Sequence, residues 1–220
     1  MSKKAGLVAV ALGMLVAGSA LAADNKLYKD FAYDAPKAGF VKAKGFFDCS
    51  ADIGGDALCQ ENVDFIGHKF LQVLAFDGQK LKNVALVAQP FEQAVYASAT
   101  AALSKGFVLA ALANGTSQLD LIELAKKSAN RNDYVTQLSN YESQSLNAGN
   151  LTYTFFEGVE MKKSYTSVAV MSMDMPENVR AAEMIVSEEG DESAIIIRFS
   201  FPKLDQKQFA EAAKKPVESF

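Results

Sequence analysis

In the stretch Ala194 to Phe201, Ile195, Ile197, Phe199 and Phe201 recur at every second position, with Arg198 and Ser200 between them. A repeat of two belongs to an extended strand, whose successive side chains point to opposite faces. Such a segment must find a sheet in which one face is apolar and the other wetter. The same period runs through Leu151, Tyr153 and Phe155, which alternate with Thr152 and Thr154. It is read again in Thr166, Val168 and Val170, between Tyr165, Ser167 and Ala169, and Val179 to Val186 supplies a further strand. The second half of the chain therefore reads as an antiparallel meander whose core rests on the Ile195–Phe201 strand.

The first half mixes periods. Gly39 to Phe47 is predicted as a first strand, and the loop Asp48 to Asn62 follows. Val63 to Phe76 is rich in strand formers, Asp77-Gly78 is a favoured tight turn, and Leu81 to Val87 runs back. Pro90 opens a helix with Phe91, Val95, Ala99 and Leu103 on one side, and Gly106 ends it. Phe107 to Ala113 is a short apolar run that suits a buried strand. Ser117 and Asp120 start a helix with Leu119, Ile122 and Ala125 inward, and Asn132 caps another carrying Tyr134, Leu138 and Tyr141. Pro202 stops the last strand, and Asp205 caps a final helix with Phe209, Ala212 and Ala213.

Strands gathered apart from helices mean an α+β fold, a largely antiparallel sheet with helices packed on one face. Residues 39–220 are expected to form one such domain, with room for two half-domains meeting near residue 105. Residues 23–38 hold Tyr28, Tyr33 and Pro36 without a period and read as a loosely ordered N-terminal arm. From Gly106 onward the order of elements resembles the layout of PsbP-like domains, small sheet-and-helix modules of the thylakoid lumen and bacterial envelope. That resemblance implies the same fold class and carries no site residues.

Lys3 and Lys4 precede an unbroken apolar or glycine run from Ala5 to Ala17, and Ala20-Leu21-Ala22 fits the small-x-small cleavage pattern. Residues 1–22 thus read as a cleavable signal peptide of a periplasmic protein. The run is shorter than the roughly 20 residues that span a bilayer, so no transmembrane segment is expected in the mature chain. Cleavage leaves 20 basic against 26 acidic residues, a formal charge of −6. This acidity argues against nucleic acid, which is bound by clustered Lys and Arg.

Cys49 and Cys59 are the only cysteines, and in an oxidising compartment an even, closely spaced pair reads as a disulfide. His68 is the only histidine; a hydrolase would have to use it as base, beside a serine and a carboxylate. Asp48, Asp52, Asp56, Glu61 and Asp64 are spaced unlike an alternating calcium loop. Met171, Met173 and Met175, if extended, would present three thioethers on one face, a copper(I) arrangement; as packing they would fill the core instead. No nucleotide, metal or prosthetic-group motif stands out, so no cofactor is implied. These residues point to an exported binding or accessory protein, its partner a small ligand or an envelope protein, rather than to an enzyme. Copper(I) binding is the alternative, and hydrolysis through His68 a further one.

Overall fold

The computed structural model describes residues 25–189 and 192–214; the leader expected over 1–22 lies outside them. The chain opens with a small hairpin, β1 (Lys26–Tyr28) and β2 (Phe31–Ala32), then one helical turn, α1 (Ala38–Val41). After β3 (Phe47–Asp48) and α2 (Ser50–Ile53) comes a three-strand meander, β4 (Ala57–Phe65), β5 (His68–Asp77) and β6 (Lys80–Ala88). Helix α3 (Gln93–Gly106) leads into β7 (Phe107–Ala113), β8 (Gln118–Asp120), α4 (Leu121–Lys127) and α5 (Arg131–Asn147). The chain continues through β9 (Asn150–Glu157), α6 (Val168–Asp174), β10 (Ala181–Glu189), β11 (Glu192–Ser200) and α7 (Pro202–Ala212).

The fold is α+β. Nine strands form one sheet in the order β3-β4-β5-β6-β11-β10-β9-β7-β8, every pair antiparallel. The sheet runs unbroken across the region of residue 105, because β11 inserts between β6 and β10. Register shows why the alternation matters. Gln72, Leu86, Ile197, Met184 and Tyr153 lie in one cross-strand row, and Leu74, Val84, Phe199, Ala182 and Phe155 in the next. These rows make the main core, on which Val95, Ala99 and Leu103 of α3 close; Ile195, Ile197, Phe199 and Phe201 are all buried within it. The inward set read from the sequence is the core.

Six readings are corrected. The described part of the arm, residues 25–38, is packed: Leu27 is fully buried, Tyr28 stacks on Phe199, and Arg180 donates to the carbonyl of Leu27. Over the strand expected at Gly39–Phe47, the chain completes α1 and then turns, with only Phe47 in a strand. Residues 57–65 form a whole strand before His68, and the first hairpin was hidden by the polar outward side of β4. Helix α5 is capped by Asn130, and α7 begins at Pro202, so Asp205 lies in its first turn rather than at its cap. The strand expected over 165–170 is replaced by α6, whose N-cap Ser167 accepts from the amide of Val170.

Helix cover is also less one-sided than expected. Ala111, Phe156 and Ala181 have the opposite parity from the core rows, and with Ile122 of α4 and Val168 and Met171 of α6 they form a second apolar cluster. One carboxylate joins these helices. Asp120 accepts at Oδ1 from the amides of Ile122 and Glu123, capping α4, and at Oδ2 from the amide of Val168 at the start of α6.

Candidate functional site

The outer face of the sheet carries a second cross-strand row. Leu71, Val87, Ile196, Ile185 and Thr152 stand side by side on β5, β6, β11, β10 and β9, one position out of step with the core. All five are half-buried. Leu71 and Val87 lean on the small cluster around the disulfide, Cys49, Ala57, Cys59 and Val73. The second apolar cluster lies at the β7–β10 end of the same face. Between the two, Ile196 and Ile185 meet water on their outer side.

The next row is Val73, Ala85, Arg198, Glu183 and Thr154, in which Arg198 and Glu183 pair across β10 and β11. At the β4 end, Leu71 and Val87 open into a cleft of about 380 Å³, with Glu61, Asn62, Lys69 and Gln89 on its rim. The face is thus an aliphatic stripe across neighbouring strands with charge along one side. Sequence reasoning named Arg198 and Ser200 for this side and missed Ile196. The signal was there: three consecutive isoleucines, 195–197, cannot all face one way on a strand.

The cysteine expectation holds. Cys49 and Cys59 are bonded, with their Cα atoms 5.8 Å apart and both nearly inaccessible. The methionines do not share a face. On a helix, positions four apart align and the residue between them points away. Met171 and Met175 are therefore buried in the second cluster, while Met173 is 73% exposed. Met173 and Met175 border a cleft of about 420 Å³ between α6 and α7, together with Phe156, Ala169, Pro202 and Lys203. The Lys203 ammonium donates to the carbonyls of Met173 and Met175, at 2.9 and 2.6 Å, closing the C-terminal end of α6.

His68 lies on β5, and its Nε2 is 3.4 Å from Oγ of Ser98 on α3. The structure thus brings a serine to the histidine. Among the described residues no carboxylate bonds the ring's other nitrogen, the third role a triad requires.

Three of the five acidic residues, Asp48, Asp56 and Asp64, are drawn into other contacts. Asp56 pairs with Lys37 and accepts from Gln79, Asp64 pairs with Lys69, and Asp48 accepts from the amide of Ser50. Hydrogen bonds from Ser50 hold the exposed Asp48 carboxyl below its ordinary value.

A polar knot under the helices was not foreseen. The Tyr153 hydroxyl donates to Glu142 of α5 at 2.6 Å and lies 2.6 Å from the Tyr96 hydroxyl of α3, which also reaches Glu142 at 2.9 Å. Burial, with Glu142 and Tyr96 adding, pushes the Tyr153 phenol far above its ordinary value, and burial likewise raises Tyr96. Both phenols are thus fixed as neutral donors that tie two helices to the sheet. Compared with known proteins, the chain matches no family model, no curated protein and no solved structure.

Proposed function

We propose that the protein is an exported, non-catalytic accessory protein of the bacterial envelope that binds another protein through the outer face of its sheet. The observation that carries this reading is the half-buried row Leu71, Val87, Ile196, Ile185 and Thr152. Its four aliphatic members cross four strands, about 14 Å at ~4.8 Å per strand, and lie on a sheet face rather than in a deep cavity. Small ligands are usually held in concave sites that bury most of their surface, whereas protein partners dock on broad patches with an apolar centre and a polar rim. The Arg198–Glu183 pair and the Lys69 and Glu61 rim supply that polarity. Export is supported by the leader pattern of residues 1–22 and is consistent with the buried Cys49–Cys59 bond, since such bonds persist in oxidising compartments.

The test is in-cell photo-crosslinking in a bacterial host that exports the chain. A photoreactive residue at Ile196 is compared with one at Gln137, on the far helix α5. The reading expects mature protein beginning at Ala23 and one discrete protein adduct at Ile196, absent at Gln137 and lost on Val87→Lys. A chain retained in the cytoplasm would overturn the export reading. Equal labelling at both positions, or a small molecule in place of a protein adduct in native mass spectrometry, would overturn the docking reading.

A further inference from the structure

Helix α7 is held in an unusual way for an element that closes a chain onto its core. None of its described side chains is buried, and Phe209 is 72% exposed. Leu204 alone packs against the main core, and only partly. Eleven residues are too few for a helix to persist by itself in water. Polar contacts must therefore keep it in place, and they converge from several elements. The Tyr33 hydroxyl, just after β2, donates to Asp205 at 2.5 Å. Asp34 accepts from Gln208 at 3.0 Å and from Lys82 of β6 at 2.5 Å, and Lys82 also donates to Gln208. Lys80 is 4.0 Å from Asp34, and the Lys82 ammonium sits over the Tyr33 ring. Further along, Lys203 caps α6 and Lys207 pairs with Glu177.

We propose that α7 is a releasable strap, latched to the N-terminal hairpin and β6 through the Tyr33–Asp34–Lys82–Asp205–Gln208 cluster, and that its docking is linked to protons and to salt. The asymmetry lies in the charges. Asp34 pairs with the part-buried Lys82, whose charge also acts on Asp205, while Lys80 is largely exposed. Arg198 also acts on Asp205, but it is committed to Glu183; Asp77 faces Tyr33 and adds negative charge.

Burial, with the charge of Asp34 adding, holds the Asp205 carboxyl above its ordinary value against the Tyr33 hydrogen bond and the pull of Lys82 and Arg198. Burial and the same two aspartates keep the Tyr33 phenol protonated as donor. The docked strap therefore binds more protons than the released one. Docking is fully supported below the ordinary aspartate range and weakens as pH rises through Asp205's own, higher value. Salt acts on the exposed pairs that flank the cluster, because screening shortens the reach of Lys207–Glu177 to about 3 Å at ~1 M. Movement of the strap opens the cleft beside α6, where Phe156 and Met175 lie.

Hydrogen exchange on the full mature chain, corrected for intrinsic rates, tests this by comparing amides of α7 with those of β11. The strap should open while β11 stays closed, more so as pH is raised from about 4, the ordinary aspartate value, toward 8, and as salt is raised. Asp205→Asn, which keeps an acceptor for Tyr33, should lose the pH dependence, and Gln208→Ala should speed opening at every pH. Exchange of α7 only in step with β11 would overturn the proposal. So would a pH rise that persists in Asp205→Asn. If that variant fails to fold, Gln208→Ala decides alone: α7 exchange unchanged from wild type refutes the latch.

Discussion

At the scale of single residues, position on an element decides what a side chain contributes. Ile197 is fully buried in the central row, with Leu86 and Met184 as its strand neighbours. Truncation to alanine leaves a cavity that these neighbours cannot fill, so Ile197→Ala should cost about 2–5 kcal/mol in denaturant unfolding. The methionines make the same point as a contrast. Met171→Ala should cost a similar amount, while Met173→Ala, at a site 73% exposed, should stay within about 0.5 kcal/mol. Equal losses at the two sites would mean that α6 does not present the faces described. The sequence showed that three methionines lie two apart; it could not show that Ser167 would cap a helix there, because Thr166, Val168 and Val170 also fit a strand. Short apolar segments are ambiguous by period alone, and tertiary packing settled this one.

At the scale of elements, the links between helices carry more than the helices themselves. Asp120 closes α4 and holds the start of α6, three backbone amides on one carboxylate. Asp120→Ala should cost about 1–3 kcal/mol, more than a simple cap, because the Val168 amide is left part-buried without a partner. Thermal unfolding of Asp120→Asn sharpens this: asparagine keeps one acceptor for the cap but faces Val168 with a donor. Long strands such as β9 and β11 were legible in the sequence because one face alternates cleanly. The β4–β5 hairpin was not, because exposed Glu61, Asn62 and Asp64 look like loop residues and Ile66-Gly67 is a weaker turn signal than Asp77-Gly78. The outer apolar row escaped notice for a related reason. Its members come one from each strand, and only the cross-strand register assembles them.

At the scale of the whole molecule, the sheet joins the two halves and the disulfide pins one end of it. Cys49 and Cys59 close a short loop beside β4, so Cys49→Ser with Cys59→Ser should lower stability by about 2–3 kcal/mol on the chain-entropy account. Chemical denaturation of both forms, read by far-ultraviolet circular dichroism, measures it. Because the halves share rows such as Gln72–Leu86–Ile197–Met184–Tyr153, the loss should be felt in one transition rather than in the N-terminal half alone. The shared rows also set an order of events during synthesis. Ile197 pairs with Leu86 on one side and Met184 on the other, so the strand that welds the sheet emerges only after every other strand of it. Until it arrives, β6 is an open edge with a row of unpaired amides and carbonyls. A polypeptide that emerges N-terminus first cannot complete this sheet until then, and stays an unfinished chain that holdase chaperones can keep apart from its neighbours.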